Sequence, residues 1–173
     1  TNYAIPFLAR IGRDWEENNL KISNEHFATE CLVGFFSEKW RQTNIRKKGV
    51  KIVVTTLPGE PYNLGALMCA VVTSITDSKV IYLGIDTPIE EIVTISKTYK
   101  PKIIALSISH AMGINFSEDC LFKLRNDINN ETLIITGGKG SPCNIRGVSN
   151  ILDFNNYYNF LIKFKALVSK DKF

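Results

Sequence analysis

The hydrophobic pattern of the chain has two different rhythms. Over residues 5–40, apolar side chains recur at intervals of three and four, which is the spacing of an amphipathic helix. Asn18-Asn19 interrupts this pattern, and Ser23 beyond it is a residue type that caps helix N-termini. We therefore predict a helical cap, a partial bundle with a hairpin of helices, over residues 1–46.

A polar, basic linker, Arg41–Gly49, precedes the second rhythm, in which short Val, Ile and Leu runs alternate with helical patterns. Such continuous apolar runs are typical of parallel strands that are buried on both faces. The predicted strands are Lys51–Thr56, Lys79–Leu83, Lys102–Ser107, Leu133–Thr136 and Asn150–Phe154. The predicted helices are Leu64–Thr76, Pro88–Thr98, Phe116–Asn129 and Asn156–Val168. This alternation predicts an α/β fold, a flavodoxin-like (Rossmann-like) doubly wound parallel sheet over residues 50–173.

Composition adds only modest constraints. The 173 residues are 45% apolar and 22% charged, with a net charge of +4, which are ordinary values for a globular protein with a sizeable core. Basic residues cluster in the linker and in the C-terminal tail, where such runs are usually solvated, and no DNA-binding module is recognisable. Because the chain begins with Thr1, we expect it to be part of a longer protein.

The four cysteines are far apart in the sequence, and none forms a Cys-x-x-Cys pair. We expect Cys31 and Cys69 to be buried thiols, because both lie among apolar residues at helical spacing. The sequence contains no signal peptide and no long apolar run, so we predict a cytoplasmic, reduced protein without a membrane segment.

The segment Leu57–Gly65 carries the strongest functional signal. It follows a β-branched strand, turns at Pro58-Gly59 and opens onto a helix, which is where open α/β sheets bind ligands. Within it, Glu60-x-Tyr62-x-x-Gly65 resembles the Asp/Glu-x-His-x-x-Gly loop of cobalamin-binding domains. In that family the loop grips the lower face of the corrin. Gly65 has an alternative reading as ordinary close packing of the helix.

The helical part carries a second resemblance. Trp15, nine further residues and then Glu25-His26 resemble the Trp-x9-Glu-His signature of light-sensing, adenosylcobalamin-dependent repressors of the CarH/LitR type in the MerR family. The resemblance implies that Trp15 and Glu25 belong to the cofactor site, with Trp15 over the upper corrin face beside the adenosyl group. It implies that His26 becomes a cobalt ligand after light removes that group. Alternatively, Trp15 is a core residue and His26 a surface residue.

The sheet carries the third resemblance. The segment Leu83–Pro88, then Ser107-x-Ser109, then Gly137-Gly138 are similar to successive motifs of the cobalamin-binding family, in the same order. The resemblance implies that the two serines and the two glycines line the slot for the nucleotide tail of the cofactor. As isolated features, each of them is equally compatible with a simple turn.

Tyr62 departs from the family pattern because it stands where the lower histidine would be. A phenol is a hard, protonated oxygen donor at neutral pH, and imidazole nitrogen suits the metal far better. The sequence has two histidines, His26 and His110, and neither lies at the offset from Glu60 that would replace the missing one. A histidine-on binding mode through Tyr62 is therefore not available. We expect either that Glu60 accepts a hydrogen bond from the phenol instead, or that Tyr62 is a structural replacement that packs over the end of the sheet.

Three outcomes stay open at this point. The chain binds a corrinoid with the nucleotide's own base or water below the cobalt, it binds a haem through His26 or His110, or it has lost the ligand and kept the fold. The first outcome fits the resemblance best. We predict a cobalamin-binding sensor domain of a transcriptional regulator, with adenosylcobalamin as cofactor, His26 as metal ligand and no catalytic residues or enzyme activity.

The expected partners follow from that prediction. They are the corrinoid ligand, a second copy or a regulatory protein, and DNA only through a region outside this chain. The alternatives are a corrinoid carrier protein of a methyltransferase system and a ligand-free or haem-binding interaction domain.

Overall fold

The structure is a computed structural model that describes residues 22–151 and 153–170. The described helices are α1 (Ile22–Asn44), α2 (Leu64–Ile75), α3 (Ile89–Tyr99), α4 (Ile114–Asp127) and α5 (Phe154–Lys170). The described strands are β1 (Lys51–Thr56), β2 (Lys79–Tyr82), β3 (Ile103–Ser107), β4 (Leu133–Gly137) and β5 (Val148–Asn150). No helix in these two ranges has the length and apolar character that crossing a membrane requires.

The strands form one five-stranded sheet in the order β2-β1-β3-β4-β5, and every pair is parallel. This order confirms the predicted flavodoxin-like doubly wound α/β fold. From β1 the chain passes to β2 at one edge of the sheet and then crosses back to β3 on the other side of β1. The strand order therefore reverses between the neighbours β1 and β3.

Each face of the sheet has its own apolar core because successive strand residues point to opposite faces. Val53 and Ile104 belong to the core that also contains α3 and α4. Ile52 and Ile103 belong to the core that also contains α2 and α5. The helices that follow β1 and β3 therefore lie on opposite faces of the sheet.

Helix α1 packs on α2, and the side chain of its last residue bonds to the edge of the sheet. Phe36 of α1 is buried against Leu67 and Met68 of α2. At the end of α1, the buried Asn44 side chain accepts a hydrogen bond from the Val80 amide at 2.9 Å and donates one to the Val80 carbonyl at 3.0 Å. Asn44 thus pairs with the exposed edge of β2 as another strand would.

Several predicted boundaries around α1 are wrong. Ser23 is not the helix cap, since α1 already begins at Ile22. The first four residues of the predicted linker, 41–44, are helical, because the bonds of Asn44 to β2 hold the last turn of α1 in place. Cys31 is exposed, whereas we expected it to be buried. The first helix of the predicted hairpin lies outside the described residues.

The C-terminal elements begin earlier than their apolar pattern indicated. Strand β5 covers Val148–Asn150, and α5 begins at Phe154. The reason is Asp153, whose carboxylate accepts a hydrogen bond from the Asn156 amide at 2.8 Å and so caps the helix at that point.

We predict that Asn44→Ala lowers the free energy of unfolding by about 1–3 kcal/mol, because it leaves the amide and carbonyl of Val80 without their partner. Chemical denaturation measures this loss. Gln42→Ala is the matched control, since it removes only an exposed bond to Glu38, and it should change stability by less than about 0.5 kcal/mol. Equal effects of the two variants would contradict the edge-pairing role of Asn44.

Candidate functional site

The candidate site lies at the carboxyl ends of β1, β3 and β4. The loops after β1 and β3 leave toward helices on opposite faces of the sheet, and a crevice opens between such loops in doubly wound folds. The β1–α2 loop carries Glu60 and Tyr62, and the β3–α4 loop carries Ser109 and His110. Residues that are far apart in the sequence therefore face one crevice.

A buried carboxylate joins these two loops. Glu60 is 1% exposed, and its Oε1 accepts a hydrogen bond from the Tyr62 amide at 3.1 Å. Its Oε2 accepts one from the Ser109 amide at 2.7 Å. Hydrogen bonds to an ionised acceptor are stronger than neutral ones, so the two loops are firmly tied. The expected bond from the Tyr62 phenol to Glu60 is replaced by these two backbone amides.

The side chain of Tyr62 instead pairs with His110. Tyr62 is 52% exposed, and its ring stacks on the His110 imidazole with centroids 6.0 Å apart and an angle of 21° between the planes. The offset of His110 from Glu60 along the sequence gave no indication of this contact. Because β3 pairs directly with β1, the two loops emerge side by side.

A third loop supports the first one from the other side. The Gly59 amide donates to the Asp86 carboxylate at 2.7 Å, and the Asp86 amide donates to the Thr56 hydroxyl at 2.9 Å. Asp86 lies in the β2–α3 loop, within the segment Leu83–Pro88 that carried part of the family resemblance. That segment therefore anchors the β1–α2 loop.

A cavity of about 150 Å³ opens beside these loops, between α2, β3, β4 and the first turn of α5. Three residues that we predicted for the nucleotide slot line it, namely Ser107, Gly137 and Gly138, and so does Gly65 of the loop motif. Ser109 is not in the wall. Its hydroxyl accepts a hydrogen bond from the Ala111 amide at 3.2 Å and stabilises the turn after β3.

Close backbone approach explains two of the glycines. A Cβ atom on Gly65 would lie 2.3 Å from the Ser107 hydroxyl oxygen, so a larger residue would displace that hydroxyl or push α2 away from β3. Gly138 has a φ of +108°, and a Cβ atom there would lie 2.3 Å from the carbonyl oxygen of Ile108. The small residues thus shape the cavity by holding its walls together.

The wall of the cavity is mostly apolar, and Asp153 at the start of α5 brings a carboxylate to it. Burial raises the pKa of the Cys69 thiol to about 12 and also raises the pKa of the Tyr157 phenol. The Tyr157 hydroxyl is paired with that of Thr73 at 2.8 Å. Both cavity groups are therefore neutral at pH 7, and the space suits an uncharged, largely apolar ring.

Sequence reasoning did not identify Cys69 and Tyr157 as cavity residues. For Cys69 a signal existed, because it lies four residues after Gly65 and hence on the same face of α2. For Tyr157 the sequence offers only an apolar helical pattern, which gives no indication that the first turn of α5 reaches the cavity.

The predicted cap residues are only partly described. Trp15 lies outside the described residues, and Glu25 and His26 lie in α1, where His26 is exposed. Over residues 22–151 and 153–170, no group of three or more His, Cys, Asp and Glu side chains is arranged to hold a metal ion.

We predict that Glu60→Gln lowers the free energy of unfolding by about 1–3 kcal/mol, because the amide that replaces one carboxylate oxygen cannot accept the second backbone bond. Hydrogen exchange should quicken at the Tyr62 or Ser109 amide. Glu91→Gln, an exposed change of the same kind on α3, is the control. Unchanged stability and exchange in Glu60→Gln would show that the carboxylate does not tie the loops.

The comparison with protein families matches residues 50–144, which include β1 to β4 and every loop of the crevice, to the family described as the B12 binding domain. Among curated proteins, none matches this sequence.

Solved structures share the fold at low sequence identity. A cobalamin-binding protein from Desulfitobacterium hafniense DCB-2 is 21% identical with a TM-score of 0.53, over 90% of this chain and 77% of that one. The monomethylamine corrinoid protein of Methanosarcina barkeri is 13% identical with a TM-score of 0.68, over 88% of this chain and 76% of that one. The methanol:cobalamin methyltransferase complex MtaBC from the same organism is similar at 14% identity and a TM-score of 0.58, over 90% of this chain and 63% of that one.

Proposed function

The chain belongs to the B12-binding domain family, and from this premise we propose that it binds cobalamin with the nucleotide base in the cavity beside Gly65. The proposal rests on this cavity. It is lined by the small residues at the ends of β3 and β4 and by the neutral side chains of Cys69 and Tyr157. Cavities of about 150 Å³ accept rings the size of benzene, so this one matches a single six-membered ring of an aromatic base in size.

The crevice next to the cavity would receive the corrin. Its rim is formed by the β1–α2 and β3–α4 loops, which Glu60 ties into one unit. Exposed aromatic rings of Tyr62 and His110 project from these loops and offer a flat apolar surface. Bound cobalamin would supply a cobalt ion with an exchangeable upper ligand, and the residues of this chain would hold and orient the cofactor.

We further propose that the domain acts as a sensor, by conformational or oligomeric change and without catalytic turnover. The sequence pattern of Trp15, Glu25 and His26 supports this, since it resembles the adenosylcobalamin-dependent repressors. The packing of α1 on α2 supports it too, because α2 also forms a wall of the cavity. A change at the ligand would therefore reach the helical part directly. Control of transcription would act through a region outside this chain.

A second candidate is a corrinoid carrier for a methyltransferase. The observation that favours it is the shared fold with the monomethylamine corrinoid protein and with MtaBC. Tyr62 weakens this candidate, because it replaces the lower histidine of the resembled motif.

The proposed position of the nucleotide base predicts a preference for cobalamin over cobinamide, which lacks that base. Burial of an aromatic ring contributes about 1.5–3 kcal/mol, and about 1.4 kcal/mol corresponds to a tenfold change in affinity. Cobalamin should therefore bind roughly tenfold more tightly or better. Cys69→Phe fills the cavity and should remove this preference, as measured by equilibrium titration of both corrinoids.

The matched control is Cys120→Phe, which makes the same change in the core on the opposite face of the sheet. It should preserve the preference for cobalamin, and thermal unfolding should establish that both variants fold. Equal affinity of the unmodified chain for the two corrinoids would place the base elsewhere, and no binding of either would refute the proposed function.

The sensor proposal predicts an assembly change that depends on the upper ligand. The chain loaded with adenosylcobalamin in the dark should differ in oligomeric state or shape from the same sample after green light, as measured by size-exclusion chromatography with light scattering. Loading with hydroxocobalamin should reproduce the illuminated state, and Trp15→Ala should remove the difference. An unchanged assembly, together with methyltransferase-catalysed transfer of the methyl group from bound methylcobalamin to a thiolate acceptor with release of cob(I)alamin, would favour the carrier.

A further inference from the structure

We propose that His110, on the β3–α4 loop, supplies the lower nitrogen ligand to the corrinoid cobalt in place of the histidine that Tyr62 has replaced. This inference rests on the proposed function, because a nucleotide base that occupies the cavity leaves the lower face of the cobalt open to a protein ligand. The ligand would then lie on the loop after β3, whereas the family motif lies on the loop after β1.

The position of His110 is the first argument. The imidazole is exposed at the crevice and stacks on the ring of Tyr62, with 6.0 Å between the centroids and 21° between the planes. Within residues 22–151 and 153–170, the His110 ring stacks on Tyr62, and its nitrogens take part in no hydrogen bond or ion pair. In the neutral imidazole the nitrogen without a proton is therefore available to a metal, while the stacked phenol limits the orientation of the ring.

The choice between the two stacked rings follows from donor chemistry. Imidazole is a nitrogen donor that suits transition metals such as cobalt, whereas a neutral phenol is a weak, hard oxygen donor. His110 is therefore the better ligand of the pair, and Tyr62 becomes the residue that packs against it.

The anchoring of the loop is the third argument. The carboxylate of Glu60 accepts the Ser109 amide at 2.7 Å, so the backbone directly before His110 is fixed to a buried group. In metal sites a carboxylate commonly orients the ligating imidazole through a hydrogen bond to its ring. Here Glu60 would achieve the same end by holding the peptide that carries the histidine.

The test is electron paramagnetic resonance of the chain loaded with cob(II)alamin after growth with ¹⁵N-labelled histidine. A single ¹⁴N ligand splits each cobalt line into a triplet, and a ¹⁵N ligand splits it into a doublet. The base of cobalamin itself stays ¹⁴N, so labelling separates the protein ligand from the cofactor's own base. The chain has only two histidines, which makes the assignment direct. We expect a doublet.

Three variants assign the nitrogen. His110→Ala should lose the doublet, while His26→Ala and Tyr62→Phe should retain it. Because His110 and Tyr62 are exposed, both variants should fold, and circular dichroism checks this. A triplet in the labelled protein, the absence of nitrogen splitting, or loss of the doublet in His26→Ala would each overturn the proposal. In these cases retained cobalamin leaves the proposed function intact, whereas failure to retain any corrinoid would refute both.

Discussion

The site depends on one buried carboxylate, because Glu60 is the group that joins the two loops at the point where the strand order reverses. A doubly wound sheet sends these loops to opposite faces, which opens a crevice and also leaves their backbone amides without partners in the sheet. Glu60 satisfies one amide in each loop and is itself 1% exposed. An ionised side chain in such a place is stable only when it is hydrogen-bonded, so the carboxylate and the two loops stabilise one another.

A second constraint connects the crevice to the helical part of the chain. Helix α2 begins at the crevice, where Gly65 lies against Ser107, and its later residues Leu67 and Met68 pack on α1. The end of α1 is in turn fixed to the edge strand by Asn44. One helix thus contacts both the cavity and α1, with no loop between the two contacts.

The sequence predicted the fold well because the relevant signals are local. Buried parallel strands show as short Val, Ile and Leu runs, and β1 was placed at its observed bounds. The order of the strands confirms the fold class, and the small residues of the predicted nucleotide slot line the cavity, Ser109 excepted.

The contacts that were missed are not local. The stacking of Tyr62 on His110 connects residues in different loops, and only the pairing of β1 with β3 brings them together. The bonds of Asn44 to Val80, which extend α1 beyond its predicted end, have the same character. Spacing along the sequence indicates which residues of one loop lie close together, but it does not indicate contacts between two different loops.

In the proposed complex, the loop that supplies the lower ligand would determine which part of the fold responds to a change at the cobalt. A ligand at the position of Tyr62 would pull on the loop that leads into α2, and through it on α1. A ligand at His110 would pull on the loop that leads into α4, which packs on the opposite face of the sheet and belongs to a different core. The Glu60 carboxylate reduces the difference between the two loops. It bonds to both the Ser109 amide and the Tyr62 amide, so a displacement of the first would be passed to the second. A lower ligand on the β3–α4 loop could therefore still transmit a displacement to α1 through the β1–α2 loop and α2, as long as the Glu60 carboxylate joins the two loops.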